Sequence, residues 1–172
     1  IDAGDLLGRE SVKANIKLLE TNISNKAVLI TGAGGSIGSE LCRQILSLKP
    51  KKIILYEISE SSLYQIDQEL LDEGLSNIDI IPIIGSITDK ARLTNICKSY
   101  GVHTIYHAAA YKHVPLVEFN QSQGILNNAI GTLTAGEAAI ESSVETFVLI
   151  STDKAVRPTS VMGATKRIAE LA

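Results

Sequence analysis

The sequence predicts an α/β fold: a doubly wound parallel sheet with helices on both faces. Three observations carry that expectation. Short runs rich in Ile and Val alternate with amphipathic stretches. The runs are apolar at consecutive positions, as strands covered on both faces require. A glycine-rich turn follows directly on the first run and opens a helical stretch, the setting in which such a turn has a defined role.

Residues 27–31, 53–56, 78–84, 104–107 and 147–150 read as strands. Residues 36–48, 61–73, 89–100 and roughly 122–142 carry helical periodicity, with Gly74 and Gly101 placed as stops. A last helical stretch, 160–172, reads as unfinished, so the chain is expected to be a piece of a longer protein. Residues 1–25 do not join the alternation and read as an N-terminal connecting segment, with 5–9 as a packing element; residues 26–172 read as one domain, incomplete at its C-terminal end. In such a fold the ligand crevice lies at the carboxyl ends of the strands, where the winding direction switches.

Composition bounds the function. The chain has 172 residues, 45% of them hydrophobic and 20% charged, which suits one globular domain with a sizeable core. A net charge of -3, an aromatic fraction of 4% and no tryptophan give little basis for gripping a polyanion, so no nucleic-acid partner is expected. No apolar run approaches the roughly 18 residues of a membrane helix, no signal-peptide pattern opens the sequence, and the segment is expected to be soluble. Cys42 and Cys97 lack Cys-x-x-Cys spacing and read as buried small apolar residues, which fits a reducing compartment.

The first strand runs into Gly32, Gly35 and Gly38 at G-x-x-G-x-x-G spacing, the Rossmann-type turn. Gly32 permits the tight turn, Gly35 lets backbone amides approach a pyrophosphate, and Gly38 lets helix pack on strand. Glu57 ends the second strand, 19 residues after Gly38, where a carboxylate bonds ribose hydroxyls and repels a 2'-phosphate. NAD is therefore expected as cofactor, with NADP possible because Lys51 and Lys52 offset the charge.

A second pattern lies near the end: Ser151-Thr152-Asp153-Lys154, then Met162-Gly163-Ala164-Thr165-Lys166. A Tyr-x-x-x-Lys pair moves protons because the lysine lowers the phenol pKa. Met162 stands at the tyrosine position and cannot accept a proton, so proton transfer falls to Asp153 and Lys154. Taken alone, that dipeptide reads as a solvated ion pair, but its place after the fifth strand favours chemistry; Met162 reads as core packing that fills the tyrosine space, with no proton role. His107 and His113, six apart without carboxylate or cysteine ligands, predict no metal site.

With these glycines, the stretch from His107 through Ala108, Ala109, Ala110, Tyr111, Lys112 and His113 to Pro115, and Asn128-Ala129-Ile130-Gly131-Thr132, the chain resembles extended short-chain dehydrogenases/reductases. The 152–159 stretch, Met162-x-x-x-Lys166 and the leading Asp5-Leu6-Leu7-Gly8-Arg9 look like the bacterial polysaccharide-biosynthesis (CapD-like) UDP-N-acetylglucosamine 4,6-dehydratases. The resemblance implies a dehydratase in which Lys154 is the C5 base, Asp153 the C6 acid, Thr152 the partner of the C4 oxygen and Lys166 the group at the nicotinamide ribose. Those roles need a lowered pKa at Lys154 and a raised one at Asp153, as partial burial would provide. It extends the cofactor contacts to Gly34, Ser36, Ile37, Ser86, Ile87, His107, Ala108 and Ala109, and the substrate contacts to Lys112, Asn128 and Met162; a surface loop accounts for Tyr111 and Lys112 almost as well as a face toward the sugar nucleotide. Ser86 stands where the family commonly has an aspartate on the adenine amine, so weaker adenine affinity is expected. Asn120-Gln121-Ser122-Gln123 replaces the usual Asn-Pro opening of the next helix.

The methionine further implies the long, membrane-anchored form, with its anchor before Ile1 and this domain at the inner, cytoplasmic face of the bacterial membrane; the parent is also expected to be a homo-oligomer. The sugar- and uridine-binding region would lie beyond Ala172, leaving the fold truncated before its substrate-binding region and inactive alone. Two other readings stand beside the dehydratase: an NAD-dependent sugar-nucleotide epimerase, and a dinucleotide-binding module without chemistry.

Overall fold

The computed structural model describes residues 15–72 and 78–172. The expected packing element at 5–9 and the expected helix stop at Gly74 lie outside the described residues. Five strands form one parallel sheet: β1 (Ala27–Thr31), β2 (Lys52–Glu57), β3 (Asp79–Ile84), β4 (Thr104–His107) and β5 (Thr146–Leu149). Their order is β3-β2-β1-β4-β5, so the winding reverses between β1 and β4. The doubly wound Rossmann-type architecture is thus the observed one.

Burial on both faces explains the uninterrupted apolar runs. Val28, Ile30, Ile53 and Leu55 face α2 (Ser36–Ser47) and α3 (Glu60–Asp72), meeting Cys42, Ile45, Leu46, Leu63, Ile66 and Leu70. The alternate residues Leu29, Ile54, Tyr56 and Ile105 face α4 (Lys90–Tyr100), meeting Leu93, Ile96 and Cys97, and Ala135, Ala138 and Ala139 of a later helix. Both cysteines are buried and free, as expected. β3 is an edge strand among the described residues and only partly covered, which is where Pro82 costs least. Gly101 ends α4 with φ +60, the left-handed conformation expected of a helix stop.

Three segments depart from the sequence reading. Residues assigned to a connecting segment include a helix, α1 (Ile16–Ile23), opened by Asn15 and docked through the buried Ile23. It is pinned beneath the sheet, where Thr104 Oγ1 donates to the Asn22 carbonyl at 2.7 Å and Thr146 Oγ1 to Asn22 Oδ1 at 3.3 Å. Positions 16, 19 and 23 are apolar at helical spacing, a signal present in the sequence but short enough to be passed over. A second unexpected helix, α5 (Val114–Phe119), carries Pro115 in its first turn, where proline is tolerated rather than breaking. Third, the single helix expected over 122–142 is α6 (Gln121–Gly124), a π-helical turn (Ile125–Ile130) and α7 (Gly131–Glu141). The chain ends in α8 (Val161–Leu171).

Candidate active site

The strand ends at the switch point build the site. Gly32 follows β1 at φ +68, and a Cβ there would stand 2.7 Å from Ala109 N and Cα, so the loop after β4 lies directly on the turn. A Cβ on Gly38 would collide with the Gly32 carbonyl, which is why α2 can start so close to β1. Gly35 caps α2 without a side-chain hydrogen bond, leaving the first-turn amides of Ser36, Ile37 and Gly38 suited to an anion. Lys112 Nζ reaches Ser36 Oγ at 3.4 Å and adds a cation at the same end.

Glu57 is buried at the end of β2. Its carboxylate accepts from the amides of Gly34 at 3.1 Å, Ile58 at 2.9 Å and Ser59 at 3.0 Å. Two carboxylate oxygens offer about four acceptor sites, so one remains for a hydroxyl. Glu57, Gly32, Ser86, Ile87 and Ala109 border one small recess. The Ser86 hydroxyl is paired within its own loop, 2.8 Å from Thr88 Oγ1, while its carbonyl accepts from Tyr56 Oη at 2.9 Å. The cradle, the free amides and the spare carboxylate site fit a dinucleotide.

Beside the turn lies a cleft of about 300 Å³ lined by Ile37, Ala108, Ala110, Tyr111, Lys112, Ile150, Ser151, Thr152, Lys154, Met162 and Lys166. It joins the glycine turn to both late motifs. Lys166, 5% exposed, donates from Nζ to the Ile150 carbonyl at 2.7 Å, and burial holds its pKa below the usual lysine value. Met162 is buried on the wall of the cleft. A wider hollow of about 480 Å³ adjoins it along Tyr111, Lys112, Leu116, Val117 and Asn120. Thr152, Lys154 and Lys166, expected from the sequence to carry chemistry, all line the smaller cleft. Among the described residues no cluster of His, Cys, Asp or Glu is arranged to hold a metal.

Asp153 departs from the expected environment. Its side chain is 81% exposed, accepts from Thr152 Oγ1 at 3.0 Å and lies 3.6 Å from Lys154 Nζ. The Thr152 hydrogen bond, then the Lys154 charge, hold its pKa below the usual carboxylate value, opposite to the raised value expected. Lys154, 56% exposed, is likewise not buried by the chain itself. The 3-10 turn Asp153–Ala155 projects both from the end of β5 toward solvent.

Two polar residues read as ligand contacts are internal. His107 has no exposure and does not line the crevice. Its ring lies between Thr31 Oγ1, 2.7 Å from Nδ1, and Thr132 Oγ1, 3.0 Å from Nε2. Asn128, also fully buried, accepts from Tyr111 N at 2.7 Å and donates to the Tyr111 carbonyl at 2.9 Å and Thr165 Oγ1 at 3.0 Å. Its amide is spent on protein, so it holds the Tyr111 loop instead of a substrate.

A family model described as polysaccharide biosynthesis protein matches residues 28–172. The chain belongs to this family. It is 47% identical over 171 residues to the capsular polysaccharide biosynthesis protein CapD of Staphylococcus aureus, covering 99% of this chain and 28% of that protein. It is 34% identical over 144 residues to a UDP-N-acetylglucosamine 4,6-dehydratase (inverting) of Campylobacter jejuni, covering 83% and 41%. The solved structure of Pen from Bacillus thuringiensis superposes with a TM-score of 0.79 at 33% identity, covering 87% of this chain and 46% of that one. The chain spans less than half the length of each.

In this family member the sequence reading missed Gly163. A Cβ there would collide with the Lys154 carbonyl, so α8 packs directly on the turn bearing Asp153 and Lys154. A glycine inside an amphipathic helix was the available signal. Ala110, Ile150 and Ser151 were also missed as lining residues; each flanks a motif residue along the chain.

Proposed function

We propose that this family member is the dinucleotide-binding and catalytic-motif part of an NAD-dependent nucleotide-sugar 4,6-dehydratase acting on UDP-N-acetylglucosamine. The observation that carries it is the single cleft uniting Ile37 of the glycine turn with Thr152, Lys154, Met162 and Lys166. Similarity to the Campylobacter dehydratase supports the reaction class, and the Glu57 carboxylate beside the turn supports NAD over its 2'-phosphorylated counterpart.

The chemistry supplied by a bound dinucleotide is reversible hydride acceptance, from C4 of the sugar and back to C6. The turn amides and Lys112 would hold its pyrophosphate, Glu57 a ribose, and Lys166 the nicotinamide end. Thr152 donates its hydroxyl to Asp153 at 3.0 Å, an orientation that carries the C4 hydroxyl proton to an ionised carboxylate. Asp153, lowered in pKa before substrate arrives, is thereby charged with the proton it later gives to the departing C6 hydroxyl. Lys154, as the neutral amine, takes the C5 proton, acidic once C4 is a ketone; the resulting ammonium exchanges its hydrogens with solvent and afterwards delivers one of them to C5. The net change is loss of water. Met162 contributes an apolar wall and no proton.

Met162 in the Met-x-x-x-Lys motif also supports a parent of the long, membrane-anchored form, with residues 26–172 as its dinucleotide-binding domain on the cytoplasmic side. No helix of the described residues is long and apolar enough to cross a membrane, so an anchor would belong elsewhere in the parent.

The test incubates the full-length parent with UDP-N-acetylglucosamine in deuterated water and reads the sugar by mass spectrometry, with K154A as control. Water loss with deuterium at C5, absent in K154A, is expected. An unchanged mass overturns the assignment for this substrate, and a changed C4 configuration at constant mass would make the enzyme an epimerase.

A further inference from the structure

We propose that His107, which the reaction does not use, is a positioning residue: the keystone of a buried, directed relay that holds the dinucleotide turn and the sugar-facing loop in one arrangement. The inference rests on the dinucleotide reading above.

The direction of each bond follows from its neighbours. Thr132 Oγ1 donates its one proton to the Asn128 carbonyl at 2.6 Å, so at 3.0 Å from His107 Nε2 it can only accept. The ring therefore carries its hydrogen on Nε2. Nδ1 is then a bare acceptor, and Thr31 Oγ1 donates to it at 2.7 Å. The Thr31 oxygen in turn accepts from Ala109 N at 3.4 Å. The relay runs from the Ala109 amide through Thr31, His107 and Thr132 to the Asn128 carbonyl, with every donor matched to one acceptor. A second proton on the ring would set Nδ1–H against the Thr31 hydroxyl and leave that hydroxyl's own hydrogen without its acceptor in a site with no exposure.

Both ends of the relay meet binding elements. Thr31 precedes Gly32, on which the Ala109 backbone lies. At the far end, the Asn128 side chain fixes both backbone polar groups of Tyr111. The loop that borders the glycine turn on one side and the cleft on the other is thus tied down at Ala109 and at Tyr111, with His107 between the two ties.

The test uses the full-length parent. Its affinity for NADH is measured by fluorescence titration for wild type, H107N, T132V, T132S and the H107N/T132V pair. Hydrogen exchange is followed over residues 108–113. In H107N the amide oxygen replaces Nδ1 toward Thr31, but nothing reaches Thr132. H107N and T132V should each weaken binding by about tenfold, the scale of one buried hydrogen-bonding group left unpaired. The double variant should bind no more weakly than the weaker single, because both cut the same link. T132S, which keeps the hydroxyl, should bind as wild type does.

Wild-type affinity in H107N, multiplicative losses in the pair, or T132S as damaging as T132V would each overturn the proposal. If H107N fails to fold, the contrast of T132V with T132S decides. If the wild type does not bind NADH, the dinucleotide reading falls separately. The relay is then judged by exchange alone: faster exchange over 108–113 in T132V supports it, and unchanged exchange overturns it.

Discussion

Burial holds the His107 pKa at about 3, with the Lys166 charge as the smaller cause. An unfolded histidine titrates near 6.5, so from there down to the folded value the unfolded chain binds a proton that the folded chain excludes. Stability therefore falls as pH falls through this window. Between about pH 7 and pH 5 the loss should be about 2 kcal/mol, before most carboxylates titrate. Urea unfolding at the two pH values checks it: the wild type should lose that much and H107N little of it, whereas equal wild-type stability would refute it. Thr152, Asp153, Lys154 and Lys166 were legible as candidate chemistry because their types and spacing are local. The environments of Asp153, His107 and Asn128 were not. Whether a polar side chain meets water or protein depends on what packs over it, and Thr31, Thr132, Tyr111 and Thr165 come from segments distant along the chain.

Helices are placed here by where they touch. α8 carries Met162 and Lys166 and rests on the Lys154 carbonyl through Gly163. G163A should push α8 off the 3-10 turn, lowering kcat by about tenfold or more, since small misplacements of reacting groups are costly. Overpacking at this one point should cost only about 1–3 kcal/mol of stability. Steady-state kinetics beside thermal unfolding tests this; a kcat equal to wild type would show that the contact does not set the cleft. G38A, colliding with the Gly32 carbonyl, should instead abolish dinucleotide binding, as titration with NADH would reveal. The strands and α2, α3 and α4 were readable because two-face burial and capping glycines leave periodic marks. The π-helical turn was not, since its extra residue only shifts the period, and the glycines on either side of it, Gly124 and Gly131, are equally tolerated inside one continuous helix. That turn places Asn128 at the interior, against the loop and α8 at once.

At the scale of the whole molecule, the winding reversal between β1 and β4 opens the crevice at the switch point, where the turn, Glu57 and the cleft all gather. A dinucleotide bound there stabilises the folded state by mass action, about 2.7 kcal/mol at a hundredfold excess over Kd. Thermal unfolding should rise with NAD and rise far less with NADP at equal concentration, because Glu57 opposes a 2'-phosphate. Equal shifts would overturn the cofactor preference, and E57Q should narrow the difference. The alternation of strand and helix, the glycine turn and the Thr-Asp-Lys and Met-x-x-x-Lys motifs were readable from the chain alone, because backbone torsion, two-face burial and residue chemistry are properties of neighbours along it. That Lys166 is buried while Asp153 is exposed, that His107 bridges β1 and α7, and that Asn128 grips a loop came from the packing. Desolvation and hydrogen-bond partnership are set by groups that meet only when distant segments pack.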